Sequence, residues 1–225
     1  IHHLLYDSRR LNFTNNTIFF AFKTADNDGH KYIKELYNKG IRFFICQQIP
    51  DSNKFPNAVF LLVNNTLDAL QQIAKYKREN FKKEVVAITG SNGKTIIKEW
   101  VVQLAQEDKK ICYSPRSYNS QIGVSLSLWQ LNSSYDLGLF EAGISKPNEM
   151  NRLQEIIQPT IGVFTNIGSA HQINFTTIEE KIQEKLQLFT KCHTLICPKD
   201  DEHLYNIVKQ WCENHNIELK TFKTS

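Results

Sequence analysis

Apolar and polar positions along the chain follow two alternating rhythms. Short apolar runs bounded by Gly, Asn, Pro or charged residues predict strands at 17–22, 43–46, 59–63, 85–88, 111–113, 137–141, 161–165 and 195–197. Between them, apolar residues recurring every three to four positions predict helices over 32–38, 67–78 and 94–106, and around Leu153, Leu186 and Ile207. Gly40 ends the first helix, and Asn65 or Thr66 caps the second. Strands that are apolar without alternation are buried on both faces, so this order predicts an α/β fold with a mostly parallel sheet between two layers of helices. The charged stretch Lys77-Arg78-Glu79-Asn80-Phe81-Lys82-Lys83-Glu84 interrupts the pattern. We place a division near residue 82, between a small mixed α/β domain over 1–82 and the parallel-sheet domain over 83–225.

Composition narrows the function. Lys and Arg number 27 against 23 Asp and Glu, a formal charge of +4 with no basic block. That excludes a basic arm for nucleic acid and fits a binder of anionic nucleotides. No apolar run reaches the roughly 20 residues of a bilayer-spanning helix, so no membrane insertion is expected. The five cysteines, Cys46, Cys112, Cys192, Cys197 and Cys212, form no CxxC pair. An odd count without a framework points to reduced thiols in a cytoplasmic protein. Cys192 and Cys197 flank His193, but 194–197 reads as a buried strand rather than a metal-ligand turn. The sequons at Asn12, Asn64 and Asn174 come without a secretion signal and reflect Asn richness.

The segment Thr89-Gly90-Ser91-Asn92-Gly93-Lys94-Thr95 follows the predicted strand at 85–88 and opens the helix at 94–106. Glycines let the backbone curl so that successive N–H groups face phosphates, and the helix adds its positive N-terminal end. Lys94, expected to be solvent-exposed, would reach the terminal phosphates of ATP, and the Thr95 hydroxyl would ligate Mg²⁺. Gly90, Ser91, Asn92, Gly93, Lys94 and Thr95 therefore form the expected ATP-binding set. The eight-residue phosphate-loop pattern is not met in full, because Ile88 stands where its first glycine belongs. The bland alternative is a Gly-Asn turn before a basic helix start. The strand before and the helix after favour a phosphate loop. The strand at 137–141 ends in Glu141, and a carboxylate at a strand's C-terminal edge beside such a loop suits a magnesium ligand. Alone, it reads equally as a surface acid.

The shortened loop resembles that of the Mur ligase family, which includes the folylpolyglutamate synthetases. Gly162-Val163-Phe164-Thr165-Asn166-Ile167-Gly168-Ser169-Ala170-His171 and Lys185-Leu186-Gln187-Leu188-Phe189 resemble two further segments of that family. The resemblance implies an ATP-dependent, ADP-forming ligase that activates a carboxylate as an acyl phosphate and lets an amine displace the phosphate. It also implies Asn166 near the nucleotide, His171 on a second metal ion, and Lys185 carbamylated by CO₂ into a carboxylate-like metal ligand. The implied catalytic set is Lys94, Lys185 and His171, and the implied metal set is Thr95, Glu141, His171 and Lys185. Without the resemblance, His171 is a surface residue and Lys185 a solvated neighbour of an ordinary Lys181–Glu184 pair.

Tyr6-Asp7-Ser8-Arg9-Arg10, Phe19-Phe20-Ala21-Phe22 and Asp28-Gly29-His30 resemble the family's UDP-precursor-binding N-terminal domain. There Ser8 would hydrogen-bond a uracil edge or ribose, and Arg9 would fork onto a carboxylate or phosphate. Tyr118-Asn119-Ser120-Gln121-Ile122-Gly123-Val124 resembles the Asn…Ile-Gly-Val stretch of the members that add D-alanyl-D-alanine, with Asn119 a substrate contact. Ser120, Gln121 and Ile144-Ser145-Lys146 depart from that pattern. The implied small-molecule substrates are UDP-N-acetylmuramoyl-tripeptide and D-alanyl-D-alanine, with ATP and Mg²⁺, in peptidoglycan synthesis. Alternatives are a sister ligase adding a diamino acid or lysine as third residue, and a non-catalytic nucleotide-binding module. Family members continue through the rest of the ATPase domain and a C-terminal domain that brings the amine, and neither fits after Ser225. The expectation is an N-terminal domain plus an incomplete central domain, folded but unable to ligate alone.

Overall fold

A computed structural model describes residues 1–168 and 175–223 and divides the chain into two units, Ile1–Gln72 and Ile73–Ser225. In the first, β1 (His3–Leu5), β2 (Thr17–Phe20), β3 (Phe43–Cys46) and β4 (Val59–Leu62) pair in that order, all parallel. Helix α1 (Ile33–Asn38) buries Ile33 and Leu36 in a core with Phe19, Ile41 and Phe44. Gly40, at φ +104°, turns the chain out of it as the sequence predicts. β2 stops two residues short of its expected end, because the Phe22 N–H turns back onto the Phe20 carbonyl (3.0 Å). Helix α2 (Thr66–Asn80) is capped by Asn65, whose Oδ1 accepts from the N–H groups of Leu67 (2.8 Å) and Asp68 (3.2 Å).

The second unit contains β5 (Val85–Thr89), α3 (Lys94–Ala105), β6 (Ile111–Tyr113), α4 (Gln121–Leu128), β7 (Leu137–Glu141), α5 (Glu149–Ile157) and β8 (Ile161–Phe164). It continues through α6 (Ile178–Leu186), β9 (Thr194–Pro198), α7 (Glu202–His215) and β10 (Glu218–Phe222). Its six strands lie in the order β10-β9-β8-β5-β7-β6, every pair parallel. Alternate strand residues feed opposite faces, as a period of two requires. Val85, Ala87, Phe140 and Phe164 join the large core with Leu128, Leu153, Leu186 and Val208. Val86, Ile88, Leu139 and Val163 pack with Ile97, Val101 and Val102 of α3. The sheet is thus covered on both sides. All five cysteines are buried free thiols, and Cys197 lies within β9. Among the described residues, no helix is long and apolar enough to cross a membrane.

Arg78, near the end of α2, is buried and donates to three carbonyls: Ile157 (2.7 Å), Gln158 (2.7 Å) and Phe81 (2.7 Å). Gln158 sits at φ +43°, so the cation holds a strained helix end in place. Arg78→Met leaves those carbonyls unpartnered and should destabilise this unit by about 3 kcal/mol, read as a lower urea midpoint at unchanged slope.

Candidate functional site

In a parallel sheet all strands point their C-terminal ends at one edge, and ligands gather where the strand order reverses. Here that point is β5, which lies between β7 and β8. The register pairs Ile88 with Glu141 and Thr89 with Phe164. The loop after β5, the last residue of β7 and the segment after β8 therefore meet.

Gly90 (φ +147°) and Gly93 (φ +77°) adopt backbone conformations closed to ordinary side chains, and a Cβ on Gly90 would stand 2.0 Å from Thr165 Oγ1. The segment after β8 clamps the loop. Thr165 Oγ1 donates to the Asn92 carbonyl (2.6 Å), and the Gly168 N–H donates to Ser91 Oγ (2.9 Å). Asn166 accepts the Ser91 N–H on its carbonyl (3.0 Å) and the Asn92 N–H on Oδ1 (2.9 Å). Here the structure differs from the sequence reading. The Ser91 and Asn92 N–H groups are engaged by Asn166 rather than turned toward a ligand. Among the described residues, the donors left without a side-chain cap are those of the first turn of α3, whose Gly93 cap offers none.

Lys94 is half-buried, not solvent-exposed as expected: its ammonium folds back to donate to the carbonyls of Gly90 (2.9 Å) and Ser91 (3.2 Å). Burial lowers its pKa, Glu141 opposes that shift, and Lys181 adds to it. Thr95 Oγ1 donates to Glu141 Oε2 at 2.9 Å, so the two expected magnesium ligands are adjacent. Glu141 is fully buried, and its Oε1 accepts no hydrogen bond among the described residues, although the Lys98 ammonium stands 3.1 Å away. A hydroxyl beside a carboxylate with an unused acceptor is a hard-oxygen donor set that fits a divalent cation.

Lys185, on α6, is buried, and its Nζ donates to the Gly90 carbonyl at 3.2 Å. It is no solvated neighbour. Burial first, then Lys94 and Lys181, bring its pKa down to about 7 against the pull of Glu184. Lys181 reaches the Gly168 carbonyl (2.5 Å), while Glu184 accepts the Met150 N–H (3.0 Å). Asn119 is half-buried, and its carbonyl accepts the Gly143 N–H just beyond β7 (2.9 Å). His171 lies outside the described residues.

In the first unit, Ser8 is buried, and Asp7 accepts from the Arg9 N–H (3.1 Å) to cap a 3-10 turn over Ser8–Arg10. The Arg9 fork closes on Asp7 (2.9 and 2.8 Å), which holds the Asp7 carboxyl below the usual range. Sequence reasoning passed over the buried Lys98, and it quoted Thr165 and Gly168 within the segment 162–171 without giving either a clamping role. Lys98 reads as the polar side of an amphipathic helix, and only the loop-closing contacts give the other two away.

The description "Mur ligase middle domain" matches residues 88–225. The UDP-N-acetylmuramoyl-tripeptide–D-alanyl-D-alanine ligase of Rickettsia prowazekii is 35% identical over 175 residues, covering 76% of this chain and 38% of that relative. The same-named enzyme of Haemophilus influenzae is 30% identical over 210 residues, covering 90% and 45%. The chain thus spans less than half the length of these relatives. Among solved structures, MurF from Acinetobacter baumannii superposes with a TM-score of 0.86 at 25% identity, covering 98% of this chain and 48% of that one. MurF ligase from Thermotoga maritima, in complex with ADP, gives 0.82 at 25% identity, covering 99% and 50%.

Proposed function

The chain belongs to the Mur ligase family, and from that premise we propose that it carries the UDP-precursor-binding and phosphate-binding portions of a D-alanyl-D-alanine-adding ligase. The reaction is ATP-dependent and ADP-forming. The terminal carboxylate of UDP-N-acetylmuramoyl-tripeptide takes the γ-phosphoryl group of ATP, and the amine of D-alanyl-D-alanine displaces the phosphate from the acyl phosphate. The observation that carries this reading is the meeting of the Gly90–Gly93 loop, the Thr95–Glu141 pair and buried Lys185 at one sheet edge.

Each residue has a task in that chemistry. The uncapped first turn of α3 and Lys94 bind the phosphates, and Lys94 leaves the Gly90 and Ser91 carbonyls to neutralise charge on the group in transfer. Thr95, Glu141 and carbamylated Lys185 would hold Mg²⁺, which supplies further neutralisation when bound, and His171 is assigned to a second ion. Asn166 keeps the loop closed beneath the nucleotide. Asn119 is assigned to the tripeptide, and Ser8 and Arg9, within a domain over 1–82, to the uridine nucleotide; 83–225 is then the ATP-binding part. A cytoplasmic location belongs to the same reading.

The test is the amine dependence of phosphate release from ATP by the full-length protein given the UDP-tripeptide. D-alanyl-D-alanine should support release, and a diamino acid or lysine offered with the corresponding UDP-dipeptide should not. The reverse outcome assigns the chain to the third-residue ligases.

A further inference from the structure

Lys98 is completely buried in α3, a rare state for a lysine. Its ammonium has three N–H donors and meets four oxygens. These are the carbonyls of Ser114 (2.7 Å) and Arg116 (2.5 Å), Glu99 Oε1 (2.9 Å) and Glu141 Oε1 (3.1 Å). A buried ion pair at best breaks even against well-packed apolar side chains, so stability alone gives poor reason for a cation here. Its partners suggest another reason. Lys98 follows Thr95 by three positions and Lys94 by four, spacings that share a helix face. Glu141 thus meets one helix at both oxygens. Oε2 accepts the Thr95 hydroxyl hydrogen bond, and Oε1 faces the Lys98 charge at ion-pair distance while its acceptor position stays unused among the described residues.

The other partners lead toward Asn119. Ser114 bonds to β7 in both directions, its N–H donating to the Leu139 carbonyl (3.1 Å) and its Oγ accepting the Glu141 N–H (3.3 Å). Arg116 holds a left-handed backbone (φ +52°) that is uncommon for a residue with a side chain, and Lys98 takes its carbonyl in that conformation. Three residues later the Asn119 carbonyl accepts the Gly143 N–H, at a spot where a Cβ on Gly143 would stand 3.0 Å from Asn119 Cγ.

We propose that Lys98 is a positioning residue: it ties Glu141, the phosphate-loop helix and the turn leading to Asn119 into one rigid piece, so that the metal-side carboxylate and the substrate-side loop keep a fixed spacing. The inference rests on the proposed function. Its test reads metal binding in the full-length protein with Mn²⁺ and ADP as probes, followed by electron paramagnetic resonance, beside the split between kcat and KM for ATP. Lys98→Met should weaken Mn²⁺ binding in the presence of ADP by about tenfold or more, in the range seen when residues supporting metal ligands are removed. Metal-free ADP binding should change less than about threefold, since the α3 N-terminus is untouched. At saturating metal the loss should fall on kcat, with KM for ATP little moved.

A folded Lys98→Met protein with wild-type Mn²⁺ affinity overturns the proposal. If Lys98→Met does not fold, the double variant Lys98→Met/Glu141→Gln decides. Recovery of a cooperative melt identifies Glu141 as the partner that needs Lys98, and failure to recover reduces Lys98 to a structural plug. A wild-type protein that binds no Mn²⁺ with ADP overturns the proposed function itself, an outcome distinct from either result on the variants.

Discussion

Lys185→Ala in the full-length protein should lower ligation by about three orders of magnitude or more, and acetate or formate at high concentration should restore part of it. Lys185 is buried beside Lys94 and Lys181, and its Nζ touches the loop carbonyl of Gly90. Left as an ammonium, it adds a third positive charge to the place where the proposed function puts a metal ion. As a carbamate it brings an anion instead, and its remaining N–H can still donate to Gly90. CO₂ reacts only with the neutral amine, and a pKa of about 7 makes that form abundant near neutrality. The folded pKa lies below the unfolded lysine value of 10.5, so the folded state binds fewer protons than the unfolded state between about 7 and 10.5. Without CO₂, this group therefore adds stability as pH rises through that window, and it is protonated in both states below it. At fixed CO₂, carbamate should increase as pH rises through about 7, where the neutral amine becomes available, visible by ¹³C NMR with labelled CO₂. Absence of both the carbamate signal and carboxylate rescue would remove Lys185 from the metal set.

The second large effect is expected at Lys94. Lys94→Ala should reduce kcat/KM by about a thousandfold or more, because charge neutralisation dominates phosphoryl transfer. Its stability should move by less than about 1 kcal/mol, a balance the structure makes specific. The variant loses two hydrogen bonds to the Gly90 and Ser91 carbonyls, and it also loses the repulsion Lys94 shares with Lys181 and Lys185. Thermal melts beside steady-state kinetics check both halves, and near-normal turnover would sink the phosphate-loop assignment.

The strongest signals in the sequence were those in which local chemistry and chain rhythm agree. The glycine loop sits between an apolar strand and an amphipathic helix, and Glu141 closes an apolar strand, so both could be placed before any contact was known. Helix α4 escaped the pattern because Gln121-Ile122-Gly123-Val124-Ser125-Leu126-Ser127-Leu128 alternates polar and apolar residues and carries a glycine. Its polar groups are satisfied internally, Ser125 and Ser127 hydroxyls returning to the carbonyls of Gln121 (2.7 Å) and Gly123 (2.8 Å), and Ser120 caps it. Strand β10 escaped because Glu218-Leu219-Lys220-Thr221-Phe222 is an edge strand with few apolar residues. Lys98 was illegible for a deeper reason. Apart from neighbouring Glu99, its partners Ser114, Arg116 and Glu141 lie 16 and more residues away on other elements, and nothing local tells a buried lysine from a solvated one.

The clamp on the phosphate loop also has a timetable. Asn92 is held by Thr165 from 73 residues downstream, and Ser91 bonds to Gly168 from 77. A ribosome that has just released the glycine loop has yet to make β7 and β8, the strands that flank β5. Contacts this distant in sequence form slowly, because the chain between must first lose its freedom. The nascent loop therefore waits open through the synthesis of three further strands, β6, β7 and β8, and closes only when the β8 exit reaches it. Slow codons or a paused ribosome before Gly168 would prolong the time for which that unpaired sheet edge is available to chaperones or to other chains.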